Sequence, residues 1–249
     1  MMRTSNPTLS SKTFTGVSRT ADPAEAMTIS GTVNKTGFLL FLAFVSAAWT
    51  WNMYYTSRDP ATVFPWLIGG AVGGLVVALV TVFKKTWAIV TAPLYSLLEG
   101  LVLGAMSAVF EASYPGIVLQ AVGLTFGTLF CLLLAYKSGL IKATENFKLG
   151  IVAATGGIAL IYIGTLVLSL FRIRVPYIYE TGAIGIGFSL FVVAIAALNL
   201  VLDFDFIEGG AAAGAPKYME WYGAFGLMVT LIWLYLEILR LLAKLRSRK

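Results

Sequence analysis

Histidine is missing from this 249-residue sequence, cysteine occurs once, and charged residues make up only 12% of the chain. The lack of histidine excludes His-based proton relays, most zinc sites and Ser–His intramembrane hydrolases. A single cysteine, Cys131, excludes an intramolecular disulfide. The Gly-x-Gly-Asp setting that an intramembrane aspartyl protease needs is also missing. We therefore expect a protein that is not an enzyme and has no resident cofactor.

Hydrophobic residues, in contrast, make up 58% of the chain and are gathered into long runs. A soluble domain would carry about twice the charged fraction found here. A transmembrane helix needs about 20 predominantly apolar residues. The runs predict an all-α, polytopic membrane protein, a seven-helix bundle with spans at Gly37–Tyr55, Thr62–Phe83, Thr86–Phe110, Pro115–Tyr136, Leu149–Phe171, Thr181–Leu202 and Trp221–Leu239.

The composition divides the chain into three regions. Residues 1–30 are polar and rich in Ser and Thr, without the apolar segment of a signal peptide, and are predicted to be a disordered cytoplasmic tail. Residues 31–245 form the predicted transmembrane domain, and residues 246–249 a basic C-terminal tail. In such a chain the net charge of +6 indicates anionic lipid at helix ends rather than nucleic acid.

Basic residues predict the orientation, because they concentrate in cytoplasmic loops. With the N-terminus cytoplasmic, ten lie inside (Arg3, Lys12, Arg19, Lys35, Lys84, Lys85, Lys137, Lys142, Lys148, Lys217) and three in the opposite loops (Arg58, Arg172, Arg174). The basic end of the chain, from Arg240 to Lys249, conflicts with this orientation because seven spans place it outside. A seventh segment that re-enters instead of crossing is the alternative.

Small residues recur at four-residue spacing in two of the runs. Gly69/Gly73 and Gly70/Gly74 lie in the second run, and Gly100/Gly104 in the third. This spacing lets helix backbones approach closely. Tight packing is the expected role, with a hinge for conduction as the alternative.

Four carboxylates lie within or at the ends of apolar runs, where a charge is expensive and usually faces the bundle interior, a partner or water. Asp203 and Asp205 end the sixth run, Glu99 lies in the third and Glu237 in the seventh. The plain alternatives are a solvated helix end for the aspartates and a hydrogen-bonded structural acid for Glu99. For Glu237 the alternative is an i,i+3 pair with Arg240.

Counting residues along the helices predicts the depth of each acid. If the sixth helix ends near residues 207–209, Asp203 lies about 9 Å from that end, level with Lys84 and Lys85. Protonation of Asp203 would break a pair with either lysine, which predicts a pH-sensitive gate. Glu99 and Glu237 are predicted at similar depths, as parts of one cation path. Asp205 points to a different face from Asp203 and is expected to reach the headgroups.

The order of these segments resembles the Bax inhibitor-1/YccA family, the transmembrane Bax inhibitor motif proteins, over about residues 30–245. The resemblance is carried by Leu202-Asp-Phe-Asp-Phe-Ile207 in the sixth run, by the final run from Leu227 to Leu242, and by Glu99-Gly100-Leu-Val-Leu-Gly104. The segments Ser5–Leu9 and Met27–Thr36 are similar to a bacterial branch of the family.

The resemblance implies seven helices with the last one central, and a pH-sensitive calcium leak that uses an aspartate at the end of the sixth helix and a second in the seventh. Asp203 matches the first position. Local similarity assigns Glu237 to the second, whereas alignment through the Leu-Leu-Arg end assigns Thr230. Lys84 or Lys85 corresponds to the family's basic latch, and calcium would bind only transiently, at no tight metal site.

The resemblance also implies a second function class, in which the protein binds and modulates an FtsH-type membrane protease through its polar tail. Either function places the chain in the bacterial inner membrane with its N-terminus in the cytoplasm.

Overall fold

Seven long helices make up the computed structural model, which describes residues 25–171 and 180–247. They are α1 (Ile29–Ser57), α2 (Pro60–Phe83), α3 (Ala88–Ser113), α4 (Ile117–Lys137), α5 (Glu145–Leu170), α6 (Ala183–Ala212) and α7 (Met219–Arg246). Each is long and apolar enough to span a membrane. The all-α, seven-helix prediction is confirmed. Arg172 and Arg174, residues 1–24 of the predicted tail, and Arg248 and Lys249 lie outside the described residues.

Several helices begin where the sequence supplies a capping side chain. Thr28 accepts a hydrogen bond from the Gly31 amide at the start of α1, and Thr144 caps α5 through the Phe147 amide. Asp59 caps α2, whose first residue is Pro60. These side chains satisfy amides that have no partner within the helix. As a result α1 begins at residue 29, inside the region predicted as tail.

The last helix is central, as the resemblance implies. Of its most apolar 18-residue window, 61% is buried, the largest share of any of the seven. α7 packs against α1, α3, α4 and α6. At its end the Arg246 guanidinium donates to Pro115 O, 2.6 Å away, in the turn between α3 and α4. α7 therefore runs from the end of the bundle where α6 and α7 connect to the end where α3 and α4 connect.

The bundle has two ends, each with its own connections. The α6–α7 end contains the start of α1 and the connection at residues 213–218, where Met27 N donates to Ala215 O at 2.6 Å. The α3–α4 end contains the turn at Tyr114–Gly116 and the end of α7.

Glycine lets α3 approach its two neighbours at the backbone. A Cβ at Gly100 would overlap Ala43 O and Ser46 of α1, and one at Gly104 would overlap Ala47 O and Thr50. On the α2 side, a Cβ at Gly70 would lie 2.6 Å from Leu98 O. The small-residue spacing therefore serves close packing of α1, α2 and α3.

Candidate functional site

Acidic residues are concentrated in the last three turns of α6. Asp203 is fully buried, at 0% exposure. Because α6 continues to Ala212, Asp203 lies nine residues, or about 14 Å, before the helix end. This is deeper than the 9 Å predicted, since the helix does not end near residues 207–209. Glu208, nearer the end, is exposed and accepts a hydrogen bond from Tyr136 of α4 at 2.5 Å.

Asp205 forms an ion pair that ties α6 to α5. Its Oδ2 lies 2.8 Å from Nζ of Lys148, and the side chain of Asp205 is only 20% exposed. Lys148 itself is 3% exposed and also approaches Glu145, one turn earlier in α5, at 3.6 Å. Asp205 is therefore not a plain helix-end acid reaching the headgroups. Sequence reasoning missed Lys148 because it counted this residue as a loop charge.

The two lysines between α2 and α3 have different neighbours. Lys84 Nζ lies 4.6 Å from the ring centroid of Trp87. Lys85 Nζ lies 5.9 Å from the ring centroid of Tyr222 in α7. Tyr222 in turn packs against Phe206 of α6, with ring centroids 6.4 Å apart. Of the two lysines, Lys85 is therefore the one directed toward the part of α6 that carries Asp203 and Asp205.

Thr230 lies buried in α7, where its hydroxyl donates to Gly226 O at 3.3 Å. Its depth relative to Asp203 follows from the contact of Ile207 with Gly223, which sets the register of antiparallel α6 and α7. Counting from that contact places Asp203 level with residue 227 of α7, and Thr230 three residues, or about 5 Å, farther in.

Glu237 belongs to a separate polar cluster, in the half of α7 nearer the α3–α4 end. Its Oε1 accepts hydrogen bonds from Arg240 Nη1 at 2.8 Å and from the Tyr162 hydroxyl of α5 at 2.9 Å. Arg240 Nη1 also donates to the Tyr162 oxygen at 2.9 Å. Glu237 is 2% exposed, and its Oε2 makes no hydrogen bond within the described part of the chain. The pair with Arg240 offered as the plain alternative is present.

Glu99 points to the opposite side of the bundle, toward α2. A Cβ on Gly74 would lie 2.7 Å from Glu99 Oε1, so the carboxyl group occupies space that this glycine leaves. The Tyr95–Phe225 ring contact and the Ser107–Tyr235 hydrogen bond set the register of α3 against α7.

By that register Glu99 lies level with residues 227–229 of α7, and therefore level with Asp203. It falls about 12–15 Å short of Glu237 along the axis. The similar depth predicted for Glu99 and Glu237 is not what the structure has: α3 and α7 begin at nearly the same level, but Glu99 lies 11 residues after Ala88 and Glu237 lies 18 residues after Met219. A path through both acids stays a prediction.

The strongest carboxylate contacts in the described chain belong to Glu220, which sequence reasoning used only as a helix start. Glu220 is fully buried and accepts from the Thr28 amide at 2.9 Å and the Thr28 hydroxyl at 2.8 Å. It also pairs with Lys35 of α1, and with Lys217 at 3.1 Å. Gly31 leaves the space for this carboxylate. Glu220 therefore fastens the start of α1 to the start of α7.

Clusters suited to a tightly held metal are absent from residues 25–171 and 180–247: no three acidic or cysteine side chains converge there. The buried acids instead contact several different helices: α1 for Glu220, α2 for Glu99 and α5 for Glu237. Such an arrangement suits electrostatic attachment between helices.

The fold and these carboxylates define a polytopic helical membrane protein with ionisable groups buried at membrane depth. The family model described as "Bax inhibitor 1 like" matches residues 6–247. The chain belongs to this Bax inhibitor 1-like family, as its sequence resemblance indicated. None of the curated proteins and none of the solved structures compared with the chain matches it.

Proposed function

We propose that this protein is a slow, pH-sensitive leak pathway for calcium or a similar cation in the bacterial inner membrane, with its N-terminus in the cytoplasm. The observation that carries the proposal is the complete burial of Asp203 about 14 Å from the end of α6. An acid at such depth costs free energy to keep, and it usually marks an ion or proton pathway.

The gate we propose consists of Asp203 and Asp205 of α6 together with two lysines that approach them from other parts of the chain, Lys148 and Lys85. Lys148 holds Asp205 from α5, and Lys85 reaches Tyr222 beside Phe206. While the carboxylates are ionised, these charges attract one another across the helix contacts. Protonation makes a carboxylate neutral and removes that attraction, so the α6–α7 end loosens as the pH falls.

Oxygen atoms along the bundle would then support a passing cation. Calcium prefers carboxylate and carbonyl oxygens, and it accepts variable geometry. Asp203, Thr230 and Glu99 lie within about 5 Å of one another in depth, and Glu237 lies farther along α7. In this proposal the gate lies at the depth of Asp203, Thr230 and Glu99. Glu237 belongs to a part of the path farther from the α6–α7 end.

Calcium flux into proteoliposomes tests the proposal, measured from pH 6 to pH 8 for the native chain and for Asp203→Asn. The variant carries a permanently neutral side chain, so we expect its flux to lose most of the pH dependence. Glu208→Gln is the matched control, because Glu208 is also an acid of α6 but is exposed. Identical flux and pH profiles for the native chain and Asp203→Asn would contradict the gate.

A second candidate function is supported by the way the N-terminal segment is attached. Ala26 forms a β-bridge with Pro216, and Lys217 N donates to Glu25 O at 2.8 Å. The chain that precedes residue 25 therefore starts from the α6–α7 end, where it could engage a membrane protease. Deletion of residues 1–24 keeps these attachments. If the protein modulates a protease, the deletion abolishes that effect, whereas a leak persists unchanged.

A further inference from the structure

A cleft between α1 and α4 lies apart from the acidic residues. Its volume is about 760 Å³, within the usual range for ligand pockets. Leu103 of α3 and Leu231 of α7 contribute to its floor, and the exposed rings of Phe41, Phe44 and Phe126 lie along its rim. Because these helices are membrane spans, the opening between the rims faces the hydrocarbon of the bilayer.

The two ends of the cleft fix its length and its level in the membrane. Along α1 it extends from Trp51 to Gly37, which is 14 residues or about 21 Å. Trp51 stacks on Tyr55 with centroids 5.2 Å apart, near the end of α1, and such aromatic residues mark the membrane–water interface. One leaflet of hydrocarbon is about 15 Å thick. The cleft therefore runs from the interface to beyond the midplane.

The width of the cleft determines which components of a membrane can enter it. A volume of about 760 Å³ spread over about 21 Å makes the cleft long and narrow. An extended hydrocarbon chain, which the bilayer supplies at this depth, is narrow enough.

Polar groups in the wall are already satisfied, so they do not call for a polar ligand. The hydroxyls of Ser107 and Tyr235 are hydrogen-bonded to each other at 2.6 Å. The Thr125 hydroxyl donates to Ala121 O at 2.8 Å, within its own helix. The remaining lining is apolar. We propose that this cleft binds one acyl chain of a membrane phospholipid, whose headgroup lies at the interface near Trp51.

Filling the cleft at Gly37 tests the proposal without disturbing the packing of the protein. A Cβ at Gly37 would meet no atom within 4 Å, so Gly37→Phe places its ring in the cleft. Gly69→Phe is the matched control. Gly69 is equally open and lies in α2, away from the cleft lining. Ala48→Trp, also in the lining, provides an independent second filling.

The readout is labelling of each variant, reconstituted in vesicles, by a phosphatidylcholine that carries a photoreactive diazirine in one acyl chain. We expect labelled peptides from α1 and α4, and labelling about tenfold weaker in Gly37→Phe and Ala48→Trp, since each ring displaces roughly two buried methylenes. Gly69→Phe should label like the native chain. Unfolding midpoints in detergent identify a variant that fails to fold.

Two results would overturn the proposal. The first is equal labelling of the native chain and both cleft variants, provided that all of them are folded. The second is native mass spectrometry that shows a dimer without bound phospholipid, with the cleft peptides cross-linked between the two chains. Retention of one phospholipid per native monomer, and its loss in both cleft variants, supports the proposal.

Discussion

Removal of the carboxylate at Asp205 should destabilise the protein more than removal of the ammonium at Lys148, although the two groups form one ion pair. The reason is their unequal burial: the side chain of Lys148 is 4% exposed, and that of Asp205 is 20% exposed. In Asp205→Asn the ammonium stays buried without its partner. In Lys148→Met the carboxylate that remains is more exposed to solvent.

The magnitudes follow from the cost of a buried charge without its partner. Breaking a buried pair from one side costs about 3–5 kcal/mol. The ammonium left in Asp205→Asn retains only Glu145 at 3.6 Å, whose side chain is 61% exposed, and pairs of that kind contribute at most about 1 kcal/mol. We therefore expect a loss of about 2–4 kcal/mol for Asp205→Asn and about 1–2 kcal/mol for Lys148→Met. The double variant Lys148→Met/Asp205→Leu should recover to within about 1 kcal/mol of the native chain.

Reversible unfolding in mixed detergent and dodecyl sulfate micelles, followed by tryptophan fluorescence at pH 7, measures these free energies. Double-mutant analysis with Asp205→Leu and Lys148→Met as its two single variants then isolates the coupling between the two positions. Glu208→Gln serves as a control, since it removes an exposed acid of the same helix. The reasoning would be refuted if the losses in free energy of unfolding simply added in the double variant. It would also be refuted if Lys148→Met lost more free energy than Asp205→Asn.

Three further predictions concern packing, attachment and orientation. Gly104→Ala should lower the free energy of unfolding by about 1–3 kcal/mol because its methyl group would overlap the backbone of α1. Gly123→Ala should cause no such loss because its methyl group meets open space. Equal effects of the two substitutions in chemical unfolding would contradict this prediction. Glu220→Ala should speed hydrogen–deuterium exchange at residues 25–35 about tenfold, because it removes four polar contacts that Glu220 makes with the start of α1 and with Lys217. Unchanged exchange would mean that the backbone bridge alone holds this segment. In a Cys131→Ser background, a membrane-impermeant maleimide should label Asp59→Cys on intact cells and Lys142→Cys only after permeabilisation, and the reverse pattern would invert the orientation.

The existence and order of the helices could be read from the sequence, but their ends could not. The sixth apolar run ends at Leu202 and its helix was predicted to end near residues 207–209, whereas α6 continues to Ala212. The seventh run ends at Leu239, whereas α7 continues to Arg246. Polar residues end the apolar runs in the sequence, but the helical backbone continues past them. Several of them have a partner on another helix or turn, which no single apolar run reveals.

Four contacts show how such partners extend the helices. Asp205 pairs with Lys148, and Glu208 accepts from Tyr136. In α7, Lys244 donates to Ser189 at 2.9 Å, and Arg246 to Pro115 O. Every one of these pairs joins positions far apart in the chain. Hydropathy is a local property, so it predicts where a helix can be buried. It does not predict which group elsewhere in the chain pairs with the polar residues at the end of that helix.

The candidate site was predicted with the same limitation. The acids themselves stood out because each interrupts an apolar run, and Asp203 proved to be the most deeply buried acid of α6. The partner of Asp205 did not stand out, since Lys148 looks like an ordinary loop charge in the sequence. The register between helices was also inaccessible, which is why Glu99 was placed beside Glu237.

The register divides the buried acids of the bundle interior into two levels, and α7 spans the distance between them. The Asp203 level corresponds to residue 227 of α7, and the second level to Glu237. Between them Leu231 is 4% exposed and Leu234 is fully buried, and Leu234 belongs to the main apolar cluster. An apolar segment about 10–15 Å long excludes water and raises a barrier to any ion. If the protein conducts cations, loosening of the α6–α7 end alone would therefore not suffice. The side chains around Leu231 and Leu234 must also move apart, and this second requirement would keep such a leak slow.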